Sequence, residues 1–207
     1  MEKLPHALVP VAVIPERKYA LPLAEALMKA GLSLIEVTLR TECAMDAMAD
    51  IRKEFPEMVI GAGTILDSKQ IDPLLDLGVE FGVSPGLNPK VVEYAQSKNF
   101  TMVPGVMTPG EVEAAMSMGL KRLKFFPAEA AGGVKMLKAL AGPYGHLGIT
   151  FVPTGGINAE KAVEYWKLPV TEAVGGSWFV GKDLLINGKT DEITRLTKEA
   201  LALHASL

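Results

Sequence analysis

The chain has 207 residues, 49% of them hydrophobic and 22% charged, and a net charge of −3 at pH 7. That length suits one domain with one substantial core over residues 1–207, and with no basic stripe interleaved with aromatics, nucleic acid is excluded as a partner. No apolar run reaches the ~18 residues of a membrane span, and the start, Met1-Glu2-Lys3-Leu4-Pro5-His6, lacks an export-signal pattern. The single cysteine, Cys43, excludes an internal disulfide framework, so a cytoplasmic location without membrane contact is expected.

In chain order, strands are expected near 8–14, 33–39, 58–63, 79–84, 101–105, 120–126, 149–154 and 172–177. Helices are expected between them: one carrying Ala24, Leu27 and Met28 with Pro22 as its first residue, then others near 42–54, 68–77, 88–98, 109–118, 133–140, 159–166 and 190–205. Gly31, Gly78 and Gly119 each close a helix just before a strand, because glycine adopts the left-handed conformation at low cost. Asn99 and Pro56 stand at the equivalent stops of the intervening units. Eight strand–helix alternations predict an α/β fold, a single-domain (β/α)8 TIM barrel.

Strand two reads Leu34-Ile35-Glu36-Val37-Thr38-Leu39-Arg40. Ile35, Val37 and Leu39 suit a helix-facing side, which turns Leu34, Glu36, Thr38 and Arg40 inward. An inward carboxylate needs a partner. It is either one half of a structural Glu–Arg pair or an acid/base group beside an arginine that clamps a carboxylate. Strand three ends in Gly61-Ala62-Gly63-Thr64, which reads as a plain turn or as space for a ligand beside the Thr64 hydroxyl. Cys43, at the start of a helix with no base in view, reads as a small packed residue.

Strand six carries Arg122, Lys124 and Phe126 on one face and Leu123 and Phe125 on the other. Most strand lysines snorkel to water. The alternative is imine chemistry, whose nucleophile is the neutral amine that desolvation favours. The last two strands end in Pro153-Thr154-Gly155-Gly156 and Gly175-Gly176-Ser177, either structural turns or an anion site of exposed N–H groups where this fold usually holds phosphate. Gly176 to Lys182 has the spacing of a nucleotide P-loop, but Asp183 replaces the magnesium-binding hydroxyl and the middle is bulky and apolar, so nucleotide binding is rejected. His6, His146 and His204 have no metal-ligand spacing, so no metal is expected.

Read together, Ile35-Glu36-Val37-Thr38-Leu39-Arg40-Thr41, Gly61-Ala62-Gly63-Thr64, Ser84-Pro85-Gly86, Pro104-Gly105-Val106-Met107-Thr108-Pro109, Lys124-Phe125-Phe126-Pro127-Ala128-Glu129, Pro153-Thr154-Gly155-Gly156-Ile157 and Gly175-Gly176-Ser177-Trp178 closely resemble the 2-keto-3-deoxy-6-phosphogluconate (KDPG) aldolases, including members that cleave 4-hydroxy-2-oxoglutarate (KHG). The resemblance spans the chain, in family order. It implies a class I aldolase without metal or cofactor, assembled as a homotrimer. The substrates implied are small 2-oxoacids and phosphosugar acids, cleaved to pyruvate and an aldehyde. By that resemblance Lys124 is the Schiff-base lysine and Glu36 the acid/base residue, working through a bound water. Arg40 and Thr64 meet the pyruvyl carboxylate region, and Phe126 and Pro85 line the site. Thr154, Gly155, Gly156 and Ser177 fall on the distal, phosphate side. Two rival readings use the same scaffold. A phosphosugar isomerase or epimerase would not need the inward lysine, and a non-catalytic 2-oxoacid or phosphate-ester binder would bind without turnover.

Overall fold

A computed structural model describes residues 4–207. Strands and helices alternate as β1 (Leu8–Ala12), α1 (Ala20–Lys29), β2 (Leu34–Thr38), α2 (Ala44–Glu54), β3 (Val59–Gly63), α3 (Ile71–Asp76), β4 (Phe81–Val83), α4 (Pro89–Ser97) and β5 (Thr101–Val103). They continue as β6 (Gly105–Val106), α5 (Pro109–Ser117), β7 (Arg122–Phe125), α6 (Gly133–Ala141), β8 (Thr150–Pro153), α7 (Ala159–Trp166), β9 (Val174–Gly176), α8 (Lys182–Ile186) and α9 (Thr190–Ala205).

All strand pairs are parallel, as the alternation requires. The ladder, however, is not one closed ring of eight strands. It comprises a six-stranded sheet in the order β5-β4-β3-β2-β1-β9 and a three-stranded sheet in the order β6-β7-β8. The strand expected at 101–105 is broken at Pro104, which has no N–H to give to a ladder. On the other side, the sheets meet at single bridges, Thr154 to Gly175 and Phe151 to Thr171. Two buried apolar clusters follow the same division: one gathers around β1 to β5, the other around β6 to β8.

Helix ends follow local chemistry. Gly31, Gly78 and Gly119 take positive φ after α1, α3 and α5, and Asn99 does the same after α4. Pro56 does not share that device: α2 ends at Phe55 in an extended turn, because proline's ring confines φ to negative values. Nor does Pro22 open α1, which begins two residues earlier at Ala20. Proline is tolerated there because first-turn N–H groups lack helical partners anyway. α1 turns Leu23, Ala24 and Leu27 inward, and Leu27 is fully buried, so truncating it to alanine costs about 2–5 kcal/mol.

In the P-loop-like run, Phe179 and Val180 are buried core residues and Lys182 opens the short α8, a helix that the expectations omitted. From Phe179 onward the run packs inward, which leaves no room for the phosphate cradle that a nucleotide P-loop forms at its centre.

Candidate active site

One cavity of about 300 Å³ opens at the C-terminal ends of the strands. Lys124, Glu36, Arg40, Thr64, Pro85, Phe126, Thr154, Gly155, Gly156 and Ser177 all line it, so every residue singled out from the sequence converges on one place. Val11, Thr38, Ile157, Gly176 and Trp178 complete the wall.

At the inner end, β2 and β7 direct Glu36 and Lys124 at one another, with Lys124 Nζ 3.9 Å from Glu36 Oε1. The pair is enclosed: Glu36 is 3% exposed and Lys124 7%. Glu36 Oε1 has no hydrogen-bond partner among the described residues. A buried carboxylate oxygen left unsatisfied is costly and marks a place where a ligand or water completes the shell. Burial pushes the Glu36 carboxyl above its ordinary value, while the charges of Lys124 and Arg40 pull it down. Room for that carboxylate comes from Gly63 on the neighbouring strand, where any Cβ would run into Glu36 Oε1. The Phe126 ring centroid lies 4.9 Å from Lys124 Nζ, placing an aromatic face beside the amine.

Side chains of the same parity have different fates. Thr38 gives its hydroxyl to the Ala12 carbonyl (3.1 Å) and so braces β2 against β1. Arg40, which the period-two pattern carried inward, lies beyond the end of β2, exposed at the rim. Arg122, two residues before Lys124, is at the opposite end of β7, where it pairs with Glu172 (2.7 Å). Thr64 has φ +64°, a strained conformation for a β-branched residue and a mark of a functional turn.

The outer end is built from backbone. Gly155 and Gly156 have φ of +105° and +76°, a conformation in which L side chains are strained. A Cβ on Gly155 would crowd Phe126 and Pro127. Ser177 follows β9 directly and is exposed. Trp178 lies over Gly176, where an added Cβ would strike its indole. Thr154, assigned to the distal side from sequence, is buried and lies between the two ends, also lining a small void beneath Lys124 and Glu36.

The sequence analysis passed over Val11 and quoted Ile157 and Trp178 in motifs without giving either a role. Val11 is one apolar residue among many; Ile157 and Trp178 were marked by following paired glycines, since glycine often makes room for a bulky neighbour. Cys43 is half-buried, with Sγ donating to the Ile14 carbonyl at 3.4 Å, as a packed residue would. Among the described residues, no three His, Cys, Asp or Glu side chains gather as a metal site requires. His6 accepts from the Ser33 amide, while His204 stacks edge-on against Trp166.

Comparison with known proteins identifies the family. The family model described as KDPG and KHG aldolase matches residues 2–196. A 2-dehydro-3-deoxy-phosphogluconate aldolase of Haemophilus influenzae is 46% identical over 194 residues, 94% of this chain and 91% of that protein. A KHG/KDPG aldolase of Escherichia coli is 44% identical over 193 residues, covering 93% and 90%. Among solved structures, a Legionella pneumophila KDPG aldolase with pyruvate captured as a covalent carbinolamine intermediate superposes with a TM-score of 0.90. It is 39% identical and covers 94% of each chain.

Proposed function

The chain belongs to the KDPG and KHG aldolase family, and on that premise we propose that it cleaves 2-keto-3-deoxy-6-phosphogluconate to pyruvate and glyceraldehyde 3-phosphate through a Schiff base on Lys124. The observation that carries the reading is the enclosed pair, Lys124 Nζ 3.9 Å from Glu36 Oε1, with that oxygen otherwise unsatisfied.

The neutral amine of Lys124 adds to the C2 ketone, and loss of water gives a protonated imine. Glu36 accepts the C4 hydroxyl proton, the C3–C4 bond breaks, and its electron pair becomes the enamine while the aldehyde departs. Protonation of the enamine at C3, followed by hydrolysis of the imine, releases pyruvate and returns the amine. Arg40 and Thr64 hold the ketoacid carboxylate, and Gly155, Gly156 and Ser177 hold the phosphate. The scissile bond is thereby fixed between two anchored ends. Phe126 and Pro85 shape the pocket, and Thr154 joins its two ends. KHG, which lacks the phosphate, is cleaved at the same inner end.

The two sheets are read as arcs of one (β/α)8 barrel formed by the described residues, supported by the one-residue gap at Pro104 and the Thr154–Gly175 bridge. A cytoplasmic homotrimer completes the reading.

Pyruvate release from KDPG, its galactonate epimer and KHG, measured side by side with and without excess EDTA, tests it. Turnover of KDPG that survives EDTA is expected. Loss on chelation, restored by zinc or manganese, contradicts the class I mechanism.

A further inference from the structure

The Gly155–Gly156 turn is held from behind by one side chain that does not line the cavity, Glu129 in the loop after β7. Its backbone N–H donates to the Gly155 carbonyl at 3.1 Å, and the preceding Ala128 N–H donates to the Thr154 carbonyl at 2.8 Å. A Cβ on Gly156 would approach Glu129 Cβ to 3.0 Å, so the turn lies directly on this residue. The carboxylate then crosses to the helix that leaves the turn: Tyr165 of α7 donates its hydroxyl to Glu129 Oε1 at 2.7 Å, and Lys161 of α7 pairs with Oε2. Lys161 and Tyr165 are four apart, on one face of the helix. Tyr165 is fully buried, which fixes the far anchor rigidly. Although burial raises the Glu129 carboxyl, Lys161 and Tyr165 together hold it below its ordinary value, so it stays ionised as the acceptor of both bonds.

We propose that Glu129 is a positioning residue for the phosphate end: by tying the loop after β7 to α7, it holds the Gly155–Gly156 turn in the left-handed geometry that points its N–H groups at the substrate. A turn of two glycines has the largest conformational freedom of any dipeptide, so its binding geometry has to be imposed by its neighbours. The partners of the Glu129 carboxylate, Tyr165 and Lys161, both lie on α7, and neither Lys124 nor Glu36 is among them. The inference rests on the assignment of this turn to the phosphate under the proposed function.

The test compares Glu129→Ala, Glu129→Gln, Tyr165→Phe and Ser177→Ala on KDPG and on KHG. Glu129→Ala and Tyr165→Phe are expected to raise KM for KDPG roughly three- to tenfold, the range of one hydrogen bond acting indirectly, with kcat within about twofold. KHG kinetics are expected to stay unchanged. Glu129→Gln keeps an oxygen for Tyr165 but sets an amide N–H against Lys161, so it is expected to raise KM less than Glu129→Ala does. Should Glu129→Ala fail to fold, Tyr165→Phe, which removes only a hydroxyl, decides. Equal losses on both substrates, no change in KM, or a Glu129→Gln variant as impaired as Glu129→Ala overturns the proposal. Ser177→Ala separates the two levels: if it affects both substrates alike, the phosphate assignment itself fails. If Ser177→Ala is selective and the Glu129 and Tyr165 variants are not, only the positioning role fails.

Discussion

At the inner end of the cavity, Glu36 and Lys124 are enclosed and present their side chains; at the outer end, Gly156 and Ser177 are exposed and much of the wall is backbone. The two ends face different physical problems. The inner end must take charged groups out of water, and desolvation there raises the Glu36 carboxyl against the pull of Lys124 and Arg40. That cost is tolerable only because the two groups face each other in a space that the missing side chain of Gly63 leaves open. Under the proposed function, the outer end has to recognise a charge that remains partly hydrated. In that proposal, backbone N–H groups of the left-handed Gly155–Gly156 turn would do this without burying any charge of the protein's own. Chemistry and recognition are thus separable in one pocket, joined by the buried Thr154.

Substitutions at the inner end should affect every substrate, and those at the outer end only phosphorylated ones. The largest expected effect is that of Lys124→Arg, which keeps the charge but cannot supply a neutral amine. Turnover of both KDPG and KHG should fall to background, and residual activity on either one would break the comparison. Glu36→Gln comes next, with kcat on both substrates lowered about 10²- to 10⁴-fold, the usual worth of a general acid/base group.

A pH profile sharpens the assignment. Glu36 must be ionised to accept the C4 hydroxyl proton, and burial raises its carboxyl, so activity should climb with pH through a limb displaced above the ordinary carboxylate range. That limb should vanish in Glu36→Gln. The smallest effect is that of Ser177→Ala, which removes one hydroxyl donor to a charged oxygen. A loss of roughly tenfold to hundredfold in kcat/KM is expected on KDPG, with KHG unaffected.

The inner end was legible in the sequence because it violates a pattern. A carboxylate and an ammonium on the inward phase of apolar strands have to be explained, and period two placed Glu36 and Lys124 on the same side as the cavity. The same reasoning overreached at Arg40, because β2 ends at Thr38 and the alternation no longer holds beyond it. The outer end was legible only as paired glycines, which mark a turn without saying what fixes it. Its brace, from Glu129 to Tyr165, spans 36 residues and follows no local periodicity. The break between β5 and β6 was readable in principle: Pro104 stood inside an expected strand, and proline cannot donate to a ladder. The depth of Thr154 was not legible from its motif: its bridge to Gly175, a contact between strand ends remote in sequence, holds it where the two sheets meet.

The central claim is that the enclosed amine of Lys124 forms the covalent bond to the 2-oxoacid. Incubating the protein with pyruvate and borohydride, then mapping peptide masses, tests it directly. The account predicts one reduced three-carbon adduct per chain, located on Lys124 and absent from Lys124→Arg. An adduct on Lys121 or Lys182, or no adduct while KDPG is still cleaved, would contradict it.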